Sequence, residues 1–337
     1  MVSVPAPIKK LVGDRFLLGM IGAVVLASLA PDLGRSGGLL HADRMGEVGV
    51  FLTFFFHGLA LSPASLRAGM LRYKLHIAVQ AFTFVVFPLI GFLVWALLGK
   101  SIPADIMLGF FYLCALPSTI SSSVAMTALA RGNVPAAVFN ASLSSLLGFF
   151  ITPLLVGLVA ATQGHGFELT SAMSKIAVML LLPFIAGQVL RPAVYRRLAA
   201  HEKRINGFDR GVILLLVLSA FSDSVKSGLW SRHGAATLGL VFIGAACILT
   251  VVLWLSTRVA RLLRLSTEDE ITLVFCGSKK TLASGVPMAS ALFGADPALG
   301  VIVLPIMFYH QLQLFVCSVI AGRYANRPER GEPRRSG

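Results

Sequence analysis

The sequence predicts an all-α membrane protein: ten transmembrane helices in two inverted five-helix repeats, with helices 4 and 9 discontinuous. Three observations carry this. Of 337 residues, 56% are hydrophobic and only 13% charged, with a mean hydropathy of +0.82; a soluble domain carries roughly 25% charged residues. Apolar runs of about 20 residues, the length that spans a hydrocarbon core of about 30 Å, recur along the chain. Polar interruptions fall at equivalent places in its two halves.

The elements follow in order. Segment 1, 14–33, contains the apolar run 16–30; residues 1–13 carry Lys9 and Lys10, but no small-residue cleavage site follows the run, so it reads as a first span and not a signal peptide. Segments 2 (45–62) and 3 (74–99) are built on the runs 48–61 and 77–98. Segment 4, 104–130, is broken by Pro117-Ser118-Thr119-Ile120-Ser121-Ser122-Ser123. Segment 5 covers 135–161, and segments 6 to 8 cover 172–191, 210–229 and 234–258. Segment 9, 268–294, is broken by Gly277-Ser278-Lys279-Lys280-Thr281; Thr267 and Glu270 before it form a capping-box pattern that opens a helix. Segment 10 is 298–322. The longest connection is 191–210, and the Arg-, Pro- and Gly-rich tail, 324–337, has the composition of a disordered cytoplasmic segment.

The net charge of +14 does not point to nucleic acid, because the basic residues sit in short connections between apolar runs. With ten spans, 21 of the 29 Lys and Arg fall on the side of the termini and 6 on the other, the remaining two being Lys279 and Lys280. Such asymmetry over short loops places both termini in the cytoplasm. A multi-pass plasma-membrane protein, in a bacterium an inner-membrane one, is the expected location. Cys114, Cys247, Cys276 and Cys317 lie inside apolar segments without metal-ligand spacing and form no disulfide framework. Zinc-protease, nucleophile-elbow and P-loop patterns are lacking, which argues against an enzyme and against ATP as driving force; no cofactor is expected.

Both breaks are followed by a second helical piece and a short turn. Pro117 to Pro135 is 18 residues and Ser278 to Pro297 is 19. They correspond if 14–161 and 172–323 are two repeats, and an odd number of spans per repeat inverts one against the other. Paired interrupted helices in inverted repeats point to a transporter binding site near mid-membrane. An interrupted helix leaves backbone groups that are tolerated only in protein or facing water, and its half-helix ends carry partial charge. Thr119, Ser121, Ser122 and Ser123 supply hydroxyls at the first break; Ser278, Lys279, Lys280 and Thr281 line the second. The serines could instead bond back to carbonyls of a continuous helix. A lysine at the centre of a span costs about 2.5–3.5 kcal/mol, so such residues usually face a cavity; of the two, Lys280 is the favoured site residue, at the start of the second half-helix. Asn140 and Ser144 share a face of segment 5 and stand as either site residues or helix–helix glue. His310 and Gln311, with Gln313, are either cavity lining or packing bonds. His57 and Gln80 lie near cytoplasmic ends, where polar residues are tolerated. Asp223 and Lys226, three apart, read as a local ion pair.

At these residues the chain resembles the bile acid:sodium symporter family, and within it the SBF-like branch. The resembling stretches are Leu75-His76-Ile77…Gln80-Ala81-Phe82-Thr83…Phe87-Pro88, Leu116 to Val124, Gly132-Asn133…Phe139-Asn140…Gly148 to Leu155, Phe275-Cys276…Lys280-Thr281-Leu282…Gly285-Val286-Pro287-Met288 and Pro305…Tyr309-His310-Gln311. The resemblance runs over about 14–323. It implies a panel domain of segments 1, 2, 6 and 7 and a core domain of segments 3–5 and 8–10, with helices 4 and 9 crossing, substrate between the domains and two sodium ions behind the crossing. The family's sodium-site hydroxyl motif falls on Ser122 and Ser123, with Asn140 as a further ligand should sodium bind. Its Glu and Gln of the second broken helix fall near Phe275 and near Lys279, so the carboxylate is missing here and positive charge is added. The implied function is secondary transport of an organic anion by alternating access, with sodium or a proton as coupling ion. One mechanism has the Lys280 ammonium in the place of a bound cation, donating to Ser122, Asn140 or Ser144, where a desolvated lysine can carry a proton. The alternative is a non-transporting membrane regulator or lipid- or ion-binding protein.

Overall fold

The computed structural model describes residues 15–60, 72–162, 170, 174–175, 177–198, 202–228, 235–294 and 296–327. All regular structure among them is helical: α1 (Arg15–Leu29), α2 (Pro31–Gly34), α3 (Ala42–Ala60), α4 (Tyr73–Ala81), α5 (Phe87–Leu98), α6 (Ala104–Ala115), α7 (Ser121–Leu129), α8 (Val134–Thr162), α9 (Leu182–Leu198), α10 (Glu202–Lys226), α11 (Ala235–Leu262), α12 (Thr267–Gly277), α13 (Leu282–Phe293) and α14 (Leu299–Ala325). π-Helical turns at Phe82–Val86 and Ala177–Leu181 lead into α5 and α9. Five stretches are long and apolar enough to cross a membrane: Tyr73–Leu98, Val134–Val159, Ala177–Tyr195, Thr237–Leu262 and Leu299–Ala325. At 1.5 Å per residue the 26-residue ones reach about 39 Å, more than a hydrocarbon core. On α5, Leu89, Leu93 and Leu97 form an exposed apolar stripe at i, i+4, i+8, the surface a lipid solvent accepts.

The helices pack as two groups. α1, α3, α9 and α10 contact one another; α4–α8 and α11–α14 form the second group, and α10 meets it through α13 and α14. Close approach within the first group depends on glycine. A Cβ on Gly58 would lie 2.1 Å from Phe184 O, and one on Gly187 2.2 Å from Phe55 O, so α3 and α9 meet backbone to backbone as small residues permit.

The π-turn of Phe82–Val86 has a local cause. Pro88 has no N–H to donate and clashes with the ladder above it, and a π-turn relieves the clash. Phe87 N donates to Phe82 O, five residues back. The carbonyl that position 88 would meet in the same register belongs to Thr83, and it is left for another donor.

Several sequence expectations need correction. Helix α12 is capped by Ser266, whose side chain accepts from Asp269 N, and not by a Thr267–Glu270 box: the helix begins one residue earlier, and Ser at N-cap with its acceptor aimed at N3 is the stronger arrangement. The connection 191–210 is mostly helix, since α9 runs to Leu198 and α10 starts at Glu202; its Arg, Lys and Ala are good helix formers. Asp223 and Lys226 do not pair with each other. Asp223 accepts from Ser36 N (2.9 Å) and Ser36 Oγ (2.7 Å), while Lys226 reaches Asp32 at 2.9 Å, so both tie α10 to the α2 region. The tail expected to begin at 324 starts later: α14 includes Tyr324 and Ala325, Tyr324 donates to Glu270 Oε1 (2.8 Å), and Arg327 donates to Ala130 O and Arg131 O. The rest of that tail, 328–337, and the N-terminal 1–13 lie outside the described residues, as do most of 163–176.

Candidate functional site

Two pairs of helix ends meet inside the second group. α6 stops at Ala115 and α7 starts at Ser121; α12 stops at Gly277 and α13 starts at Leu282. Pro117 explains the first stop, because the residue before a proline is pushed to extended backbone; Leu116 sits at φ −68°, ψ 152°. Gly148 makes room for it: a Cβ there would be 2.6 Å from the Pro117 ring. At the second stop, Thr281 turns extended (φ −85°, ψ 126°) and caps α13 by accepting from Ser284 N. Lys280 therefore precedes the second half-helix and does not begin it. The two connections touch directly, with Thr281 N donating to Pro117 O at 3.1 Å.

A helix end leaves carbonyls without intrahelical partners, and named donors meet them here. Ala115 O accepts from Thr152 Oγ1 (2.8 Å), Phe275 O from Ser123 Oγ (3.1 Å), Cys276 O from Ser118 Oγ (2.7 Å) and Ser278 O from the Tyr309 hydroxyl (2.6 Å). Ser144 Oγ accepts from Ser118 N at 2.9 Å. Gln313 clamps Lys280 at both backbone atoms, its Oε1 accepting from Lys280 N (2.9 Å) and its Nε2 donating to Lys280 O (2.7 Å).

Both lysine side chains are fully buried. Lys280 Nζ donates to Leu116 O (2.5 Å), Cys114 O (2.8 Å) and Thr83 O (2.9 Å), the last being the carbonyl freed by Pro88, and it lies 4.1 Å from the centre of the Phe87 ring. Three N–H donors meet three carbonyls under an aromatic face. Lys279 Nζ donates to Ser122 O (2.8 Å), 5.9 Å from the Phe275 ring centre. The expectation that Lys280 donates to Ser122, Asn140 or Ser144 is thus corrected. Lys279 reaches Ser122, and through its carbonyl. Ser144 is engaged by Ser118 N, and Asn140 bonds Ala136 O (2.9 Å), His76 Nδ1 (2.9 Å) and Gln80 Nε2.

In front of these two connections, between the two helix groups, lies a cavity of about 610 Å³. Ser118 to Ser122 and Thr281 to Ser284 form one wall, with His310 from α14; the other carries Phe54, His57, Phe184, Asp209 and Arg210. Thr119 Oγ1 lies 2.7 Å from Ser122 Oγ and 2.9 Å from Ser123 Oγ, a hydroxyl chain running inward from the cavity. Helix α7 opens on this wall with no side-chain cap at Ile120, so its first turn presents the positive end of a helix. Phe149 stacks edge-on with Phe54 (5.4 Å) and Phe184 (5.5 Å) at the junction of the two groups.

The predicted residues therefore separate. Thr119, Ser121, Ser122, Thr281 and His310 line the cavity. Ser123, Ser144, Ser278, Lys279 and Lys280 stand behind it at the crossing; the Ser278 hydroxyl bonds back to Val274 O. Asn140 belongs to a buried α4–α8 cluster with His76 and Gln80. Gln311 does not line the cavity, and its Nε2 is buried without a hydrogen-bond partner among the described residues. Sequence reasoning missed Asp209 and Arg210 and set His57 low. A charge at the start of an apolar helix looks like a boundary marker, and a contact 152 residues away leaves no local signal.

Residues 14–326 match the model of the SBF-like CPA transporter family. The chain is 48% identical over 316 residues to an uncharacterized protein of Pseudomonas aeruginosa, covering 93% of each chain. It is 42% identical over 319 residues to the putative symporter YfeH of Escherichia coli, covering 94% of each. It is 30% identical over 310 residues to the sodium/bile acid cotransporter 7 of Danio rerio, covering 90% of this chain and 91% of that one. The apolar helices and these matches together make the chain a multi-pass membrane protein of the SBF-like CPA transporter family.

Proposed function

We propose that this protein is a secondary transporter that moves an organic anion by alternating access. In this reading α6 with α7, and α12 with α13, are two interrupted spans of a ten-span chain, equivalent in inverted repeats 14–161 and 172–323. The first helix group serves as panel and the second as core. Both termini lie in the cytoplasm, in a bacterium at the inner membrane, and the cavity is the substrate site seen from the cytoplasmic side.

The observation that carries the reading is the direct bond between the two connections, Thr281 N to Pro117 O, at the wall of a cavity between helix groups. An anionic head suits the first turn of α7, the Thr119, Ser121, Ser122 and Thr281 hydroxyls and Arg210; an apolar body suits Phe54, Phe149 and Phe184. The printed name of the zebrafish relative, a sodium/bile acid cotransporter, supports an amphipathic organic acid. We assign Lys280 the place of a resident cation: its ammonium draws three carbonyls together as a bound metal ion would. The coupling ion is then a proton, or a sodium ion held elsewhere near Ser122 and Ser123.

The test is exchange in proteoliposomes with radiolabelled taurocholate and benzoate as probes, beside thermal-shift binding of the same anions in sodium and in choline buffers. Binding accompanied by exchange is expected. Binding without exchange of the bound anion would overturn transport in favour of a regulator or ligand-binding protein.

A further inference from the structure

We infer that His57 and Asp209 form a proton-binding dyad in the panel wall of the cavity, where the coupling proton is loaded and released. The inference rests on the transporter reading above and names the ion.

Among the described lining residues Asp209 is the one carboxylate. Its Oδ2 lies 2.8 Å from His57 Nε2, while Oδ1 is buried and has no hydrogen-bond partner among the described residues. The side chains retain 13% and 27% of their exposure, so water in the cavity reaches the pair. An ion pair kept for stability alone saturates its carboxylate, since an unmet buried charge is costly. Here one carboxylate oxygen is buried and unmet among the described residues, while the pair itself lines the cavity. The pair offers a proton two neighbouring acceptors, an imidazole nitrogen and a carboxylate, on the cavity wall.

Among the described residues the charged neighbours of the pair can be named. On α10, Arg210 is turned to the Phe16 ring at 5.6 Å. On α9, Arg191 lies 4.3 Å over the Tyr195 ring and donates to Leu59 O at 3.0 Å. His310 faces the pair from α14 across the cavity, and the lining residues of α13 carry no charge. Phe54 stands edge-on to the His57 ring at 5.7 Å. The lysines of the crossing are behind the opposite wall. The step is a plain transfer: one proton passes from water on the open side to the dyad, raising the wall's charge by one, and returns to water when the cavity faces the other side. The added positive charge favours an anion in the cavity, and by linkage a bound anion favours the proton equally.

The test uses N,N′-dicyclohexylcarbodiimide, which modifies protonated carboxyls, on the purified full-length chain across pH 5 to 8.5, with adducts located by mass spectrometry. Exposed Glu47, near the other end of α3, serves as internal reference. Asp209 labelling, relative to Glu47, is expected to rise at least fivefold from pH 8.5 to 5.5, and His57→Gln is expected to move its midpoint. A flat profile, or one that His57→Gln leaves in place, reduces the pair to a static ion pair and overturns the inference. A second arm measures taurocholate and benzoate affinity by thermal shift at pH 5.5 and 7.5. Coupling between sites is typically about 5- to 150-fold, so wild-type affinity should tighten by about fivefold or more at pH 5.5, and Asp209→Asn should abolish the difference. Anion binding that ignores pH, with flat labelling, sinks the dyad and leaves the transporter standing. Labelling that titrates, with anions that bind and never exchange, leaves a proton site in a protein that does not transport.

Discussion

Replacing Lys280 by Met keeps most of the side-chain volume and removes the ammonium. Three carbonyls, at 2.5, 2.8 and 2.9 Å from Nζ, then lose their donor in a fully buried space. Each unmet buried acceptor costs about 1–3 kcal/mol, for a gross loss of about 3–9 kcal/mol. Removing a buried ammonium recovers part of this, since its own desolvation cost disappears. A net loss of about 3 kcal/mol is expected, read as a fall of several degrees in the melting temperature of the detergent-purified protein. The more telling measurement is rescue. If the ammonium stands where a cation belongs, Lys280→Ala opens space among converging carbonyls, and sodium or ammonium ions should stabilise that variant and leave the wild type unmoved. A bound ion at 100 times its Kd contributes about 2.7 kcal/mol. An unchanged melting point in Lys280→Met would refute the reasoning about the carbonyl cage, and a destabilised Lys280→Ala deaf to every small cation would refute the cation-place assignment.

Gln313→Ala removes both side-chain bonds to the Lys280 backbone and should cost about 2–4 kcal/mol in a thermal melt; a cost under about 1 kcal/mol would mean the break holds itself. Gly187→Val drives a Cβ to 2.2 Å from Phe55 O, so α3 and α9 must part; overpacking of this kind costs about 1–3 kcal/mol, and the monodisperse fraction in size-exclusion chromatography should fall. Asp32→Asn breaks the exposed pair with Lys226 and should leave the melting temperature unchanged within error, because exposed ion pairs contribute little. A drop there would show that the α2 region is held by charge and not by Asp223 bonding Ser36.

The helical class and the two polar connections, 116–120 and 278–281, were legible because they are local facts. Pro117 denies an N–H to the ladder whatever surrounds it, and a run such as Gly277-Ser278-Lys279-Lys280-Thr281 cannot lie against lipid. The lysines drew attention for the same reason. Their partners were not legible. Thr83 O is available to Lys280 because of Pro88, five residues further along the same stretch, and the two meet across a sequence distance of 197. Asn140 looked like a site residue because it shares a helix face with Ser144 just after the first break; in three dimensions its amide is taken up by His76 and Gln80 on another helix. Asp209 was hidden by position, being a charge at the predicted boundary of segment 7, where solvent normally answers for it. Asp223 and Lys226 share a helix face, yet each finds a better partner in the short α2 region, which no periodicity announces.

The Phe54–Phe149–Phe184 seam bears on how stiffly the two helix groups are joined. Edge-on ring contacts at 5.4 and 5.5 Å have shallow, broad energy minima and break no hydrogen bond when displaced. The crossing behind them is locked by directional bonds that fail within a fraction of an ångström. The seam is therefore the softer of the two contacts and the bonded connections are the stiffer.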